Sequence, residues 1–173
     1  MEAMREADLE QLYTRLERPL YNVVYRWVWD PDEAQEIVQE AFVRLWRMRG
    51  RVKMKTVRPL VYKIALNLAS SRKRARKLWR WVSLDALSSM PSPGMSAEES
   101  LSVERRQARF REAMDSLPEE LRRVVMLCEF SELSYGEIAG LLSIPEGTVG
   151  SRRNRALRTL RAMLSEGGDG DAR

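Results

Sequence analysis

Five arginines and no acidic residue lie between Thr148 and Leu164, and the chemistry open to such a stretch is recognition of a polyanion. A guanidinium offers a rigid fork of donors that meets phosphate oxygens or a base edge, and an asparagine amide meets a base edge in the same two-pronged way. Val149, Ala156, Leu157, Leu160 and Leu164 recur at helical spacing and mark one apolar stripe. Ser151, Arg152, Asn154, Arg155 and Arg158 fall largely off that stripe, whereas Arg153 lies nearer to it and is the weaker member of the set. A charged outer face alone would suit solvation equally well. One-sided charge with no acidic offset is what phosphate binding needs.

The element before this helix turns a charged face into a specific pattern. Ser134 can cap a helix, Glu137 three residues on can return a bond to the cap backbone, and Ile138, Leu141 and Leu142 supply an apolar face, so a helix is expected over 135–142. Ala139 leaves room for a second helix to cross closely. Ser143-Ile144-Pro145 ends the first helix, and Pro145 suits the first turn of the next. The pair reads as a helix-turn-helix, whose second helix lies in a major groove.

Composition excludes more than it specifies. The chain has 173 residues, 30 Lys and Arg against 25 Asp and Glu, and a formal charge of +5, which suits a polyanionic partner. With one cysteine and no histidine, disulfide frameworks, zinc ribbons and histidine-based acid, base or triad chemistry are excluded. No enzyme, cofactor or metal is expected. Cys128 sits in the apolar run Val124-Val125-Met126-Leu127-Cys128, where a core thiol is a better reading than a nucleophile. The opening residues lack a signal-type apolar segment and no run is long enough to span a membrane, so the expectation is a cytoplasmic protein with no membrane insertion of its own.

The rest of the chain divides in two. Leu9, Leu12, Leu16, Leu20, Val23, Val24 and Trp27 predict a helix over 7–29, with Pro19 implying a kink or break. Asp30-Pro31-Asp32-Glu33 starts a second helix with a cap, a proline in its first turn and acids where its dipole favours them; Ala34, Ile37, Val38, Ala41, Phe42, Leu45 and Trp46 form its stripe. Residues 47–55 read as a basic loop before a third helix over 57–79, which presents Leu60, Ile64, Ala65 and Leu68 inward and ends in a cationic run over 72–80. From Ser83 the composition turns to Ser, Pro, Gly and acidic residues around Pro91-Ser92-Pro93-Gly94, a linker. A helix follows over 103–116, and Leu117-Pro118-Glu119-Glu120 opens another, where the paired acids serve the helix dipole better than catalysis. The expected fold class is all-α: two small helical domains, residues 1–82 and 103–165, joined by a flexible linker over 83–102 and followed by a disordered tail over 166–173.

Several strings carry a family resemblance. Residues 32–46, DEAQEIVQEAFVRLW, and 61–69, VYKIALNLA, resemble region 2 of sigma-70 factors of the extracytoplasmic-function group; 117–122, LPEELR, with 133–135, LSY, and 144–149, IPEGTV, are similar to region 4. Their joint order and separation make the match specific. The resemblance implies an alternative sigma factor with domains for regions 2 and 4. It would bind core RNA polymerase at the beta-prime clamp helices and the beta flap, recognise minus-35 and minus-10 promoter elements and help open the promoter. An anti-sigma partner would hold it inactive.

Carried over by position, the resemblance places Ser151, Asn154 and Arg155 on minus-35 bases and Tyr135, Thr148, Arg152 and Arg158 on phosphates. Lys53, Lys55, Arg58, Tyr62, Asn67, Arg72 and Arg74 fall where the family holds the minus-10 strand, and Glu36, Gln39, Glu40 and Arg44 where it meets the clamp helices. Tyr62 reads equally well as core, and Trp27 and Trp46 better so. The chain departs from the family pattern at Ser143, where glycine is frequent in the turn; if that position needs a left-handed backbone, serine costs on the order of 1 kcal/mol. Gly150 and Cys128 replace common cations and Leu60 a common tryptophan. The rival readings are a stand-alone helix-turn-helix regulator, which leaves residues 32–46 unexplained, and a helical RNA-binding protein, which lacks RNA-binding motifs.

Overall fold

The computed structural model describes residues 4–82 and 97–166. All regular structure among them is helical: α1 Glu6–Val28, α2 Pro31–Arg47, α3 Val57–Val82, α4 Ala97–Ser116, α5 Glu119–Phe130, α6 Tyr135–Leu142 and α7 Glu146–Glu166. The centre of the expected linker, 83–96, and the expected tail from 167 lie outside the described residues. The all-helical, two-domain reading holds, with α1–α3 in one unit and α4–α7 in the other.

Local chemistry sets the boundaries. At the start of α2 the Asp30 carboxylate accepts the Glu33 amide at 2.8 Å with Pro31 in the first turn. α6 opens with a reciprocal box, the Ser134 hydroxyl accepting the Glu137 amide at 3.2 Å and the Glu137 carboxylate accepting the Ser134 amide at 2.8 Å. Pro19 does not break α1, which runs unbroken past it. α1 ends where Trp29 turns left-handed at φ 58°, and α6 where Ser143 does the same at φ 55°. The stretch expected as a loop before α3 is wound into two 3-10 turns, Arg49–Arg51 and Met54–Thr56, pinned by the buried Val52 and Val57. α4 begins at Ala97 rather than near 103, because Ala97-Glu98-Glu99 are strong helix formers with no breaker behind them.

α1, α2 and α3 pack mutually around Leu16, Leu20, Ile37, Leu45, Tyr62 and Leu66, while α5, α6 and α4 pack on α7. The two units also touch: α1 lies on α5 and α3 on α6, and the buried side chains of both form one continuous core. The reason is visible in α5. Leu121, Val124, Val125, Met126 and Leu127 stand around the middle of the helix and are all buried, so its middle turns need cover on more than one side. α7 covers one side of α5 and the end of α1 the other.

Candidate nucleic-acid interface

The outer face of α7 is open. Ser151, Asn154, Arg155, Arg158 and Arg161 are exposed, while Val149, Ala156 and Leu160 are buried beneath. Ser151, Asn154, Arg158 and Arg161 line a shallow polar groove along the helix. Among the described residues no carboxylate stands within ion-pair distance of Arg155, Arg158 or Arg161. The other two arginines of the helix are engaged. Arg153 donates to Glu129 at 2.6 Å, in keeping with its position near the stripe, and Arg152 pairs with Glu120 at 3.2 Å. Glu120 therefore does more than favour a helix dipole; it pairs with Arg152 of α7. Thr148 sits half-buried in the first turn of α7, its amide donating to Pro145 at 3.0 Å. Tyr135 is 39% exposed at the start of α6, its ring lying across Gly150, where a Cβ would stand 3.7 Å from the ring edge. The residue that replaces a common family cation thus seats an aromatic ring at the head of the reading helix.

The residues expected on the minus-10 element are split. Lys53 and Lys55 in the 3-10 turns and Arg74 on α3 are exposed. Asn67 is exposed as well, at the rim of a cleft of ≈ 310 Å³ lined also by Lys63, Glu120, Arg123 and Arg152. Arg58 donates to the Glu132 carbonyl at 2.8 Å and lies 3.8 Å from the Glu137 carboxylate. Tyr62 departs furthest from that expectation: it is completely buried, burial pushes its phenol well up, and in this arrangement it is core rather than a base-stacking surface. Trp27 is core as expected, whereas Trp46 is half-buried with Arg49 stacked on it at 4.4 Å.

On α2, Glu36, Gln39, Glu40 and Arg44 share the outward side. Arg72 of α3 reaches them, pairing with Glu36 at 2.9 Å and Glu40 at 3.0 Å, and Arg44 also pairs with Glu40 at 2.6 Å. Burial would raise the Glu40 carboxyl, but the bonds from Arg44 and Arg72 outweigh it and hold the group below the usual range. One step along α3, Arg76 pairs with Glu33. Val43, 48% exposed, sits among these polar groups, one turn beyond Gln39, an aliphatic left in water on a polar helix face.

Sequence reasoning gave Arg122 only a place in the LPEELR string, yet it is the most deeply buried cation described. At 4% exposure it donates to the Trp27 carbonyl at 2.9 Å and the Arg26 carbonyl at 3.1 Å, lies 2.7 Å from Asp115, and stacks over the Trp27 ring at 4.5 Å. The carbonyls belong to the C-terminal turn of α1, where the helix dipole favours a cation. Burial lowers the Arg122 pKa. The readable clue was the apolar girth of α5, which requires a second partner on the side where Arg122 lies.

Fold and surface together define a two-unit, all-helical protein ending in a helix-turn-helix with a cationic reading face. Residues 12–78 match the family profile of sigma-70 region 2 and residues 107–160 that of sigma-70 region 4. The chain is 35% identical to the ECF RNA polymerase sigma-E factor of Escherichia coli over 161 residues, covering 84% of this chain and 80% of that protein. It is 31% identical to the RNA polymerase sigma-H factor of Pseudomonas aeruginosa over 88% of this chain and 84% of that one. Against the ECF sigma factor SigE of Mycolicibacterium smegmatis the figures are 31%, 85% and 58%. In fold it is similar to the sigma factor RpoE of Bartonella quintana solved with the anti-sigma factor NepR, at TM-score 0.67 and 21% identity over 91% of this chain and 97% of that one. CnrH, solved with the cytosolic domain of CnrY, gives 0.64 and 20% over 97% and 92%. The chain belongs to the ECF group of the sigma-70 family of RNA polymerase sigma factors, which are transcription initiation factors rather than enzymes. No helix among the described residues is long and apolar enough to cross a membrane.

Proposed function

We propose that this chain brings core RNA polymerase in the cytoplasm to promoters carrying two upstream elements, with a named surface for each contact. The outer face of α7 reads the minus-35 element, Ser151, Asn154 and Arg155 at base edges and Tyr135, Thr148, Arg152 and Arg158 at phosphates. Lys53, Lys55, Arg58, Asn67, Arg72 and Arg74 hold the minus-10 strand by charge and amide bonding; Tyr62 joins them only if its cover moves away. Glu36, Gln39, Glu40, Val43 and Arg44 on α2 dock on the beta-prime clamp helices, and the second unit meets the beta flap. An anti-sigma protein occupies these surfaces when the factor is silent; the sigma factor RpoE of similar fold, solved with the anti-sigma factor NepR, supports that reading.

The observation that carries the proposal is the unpaired row Asn154, Arg155, Arg158 on the second helix of a capped helix-turn-helix, beside two arginines diverted to Glu120 and Glu129. The test is transcription from a genomic promoter library with core polymerase, with and without the chain, sequencing the starts. New starts sharing two upstream elements are expected. No new starts, with duplex DNA still retained by the chain alone, would favour a stand-alone regulator.

A further inference from the structure

The head of the reading helix is bordered by an aromatic ring that belongs to another helix. Tyr135, the first residue of α6, is 39% exposed, and its ring lies across Gly150 of α7, where a Cβ would stand 3.7 Å from Cε2. Gly147, one turn earlier, has nothing within 4 Å of the place a Cβ would take. Gly147, Gly150, Ser151 and Asn154 share one side of α7 by their spacing, so the first turns of that side carry no long side chain of their own. The nearest arginines are drawn elsewhere, Arg152 to Glu120 at 3.2 Å and Arg153 to Glu129 at 2.6 Å. At its head, α7 thus offers bare backbone with one ring beside it.

We propose that Tyr135 reads a base as well as gripping a phosphate: its ring edge packs on the 5-methyl group of a thymine in the major groove, next to the base met by Ser151, and Gly150 is the positioning residue that gives the ring its place. In a helix-turn-helix the N-terminal residues of the second helix meet base edges, while the first helix crosses the backbone. A ring anchored on α6 and laid over position 150 spans both, with its hydroxyl toward a phosphate and its edge over the helix head. Thymine is the base whose major-groove edge carries an apolar group, and an aromatic ring is an apolar partner for it. Alanine at position 150 leaves the ring where it is, because 3.7 Å is ordinary van der Waals contact; a longer, branched side chain there competes with the ring for the same space. The assignment rests on α7 being the helix that reads the minus-35 duplex.

The test is selection from a duplex randomised over the minus-35 element, with the full chain bound to core polymerase. Affinity is then measured with each selected thymine replaced in turn by deoxyuridine, which removes the methyl group alone. One uracil-sensitive position is expected in the wild type, where affinity falls about fourfold, the worth of one buried methyl. Tyr135→Ala and Gly150→Leu should no longer select thymine there, and should bind the uracil duplex as well as the thymine one. Tyr135→Phe should keep the selection while binding every sequence more weakly, and Gly150→Ala should keep it unchanged. The uracil comparison in the wild type needs no variant, so it decides the matter even where a variant does not fold. A wild type with no uracil-sensitive position, or a sensitivity that persists in Tyr135→Ala, overturns the contact. Thymine selection in Gly150→Leu as strong as in the wild type overturns the role of Gly150. No base preference at any position overturns the contact together with the reading face, whereas a preference confined to the base met by Arg155 overturns the contact alone.

Discussion

Ser143→Gly should stabilise the second unit, and the size of the gain can be worked from the turn. Ser143 follows α6 at φ 55°, ψ 45°, its amide donating to the Ala139 carbonyl. A residue with a Cβ is held there against a cost of about 1–2 kcal/mol. Glycine removes that strain but loses about 0.5–1 kcal/mol more backbone freedom on folding. Because Ser143 is exposed, little packing is lost, and the net gain is about 0.5–1 kcal/mol. Urea unfolding at constant slope should show it as a raised midpoint. Calorimetry adds a second reading: each kcal/mol moves Tm by about 4–8 °C if α4–α7 melt alone, and by about 2–4 °C if the whole chain melts as one. Ser143→Ala keeps the Cβ and should gain nothing. If Ser143→Gly is no more stable than Ser143→Ala, left-handed strain is not what this turn carries, and the reasoning fails.

Three further outcomes are expected. Arg155→Ala should weaken promoter discrimination by about 1–3 kcal/mol at one base position if its guanidinium bonds a base edge, whereas Arg158→Ala should weaken all sequences alike and lower the salt slope by about one; competition binding on a randomised minus-35 duplex separates the two. Burial pushes the Cys128 thiol up to about 11, so thiolate absorbance in the folded chain should appear only near that pH. Its protonated form is favoured by the fold, so its contribution is complete below the unfolded value near 9.0 and is lost as pH rises through the folded one; unfolding followed across that window in wild type and Cys128→Ala should show a smaller decline in the variant. Gly140→Ala should stabilise α6 by about 0.5–1 kcal/mol, since a Cβ there meets nothing within 4 Å; a denaturation midpoint that does not rise would count against it.

Much of the reading helix was legible because its signals are local. Arg153 was marked as the weaker arginine from its angle to the stripe, and it is the one bound to Glu129. Ser143 stands where the family resemblance places a frequent glycine, and its backbone is left-handed at φ 55°. Bounds were less legible where a helix could extend without penalty, as at Ala97, and where a short basic stretch was pinned by valines at each end, as at Val52 and Val57. Tyr62 could be read either as a stacking ring or as core, since an aromatic on an apolar stripe looks the same in both roles; only the helices laid over it decide.

Contacts within a few residues make most helices, the caps of α2 and α6, the apolar stripes and the cationic face of α7 readable from the chain alone, because propensity, capping and periodicity act over one or two turns. Which distant groups come to face each other is settled by packing instead. Arg122 and the α1 carbonyls, Arg58 and Glu132, Arg72 and the acids of α2 are all distant in sequence. Periodicity states which way a stripe points but not what will cover it, so the burial of Arg122 and of Tyr62 became visible only once the helices were packed together.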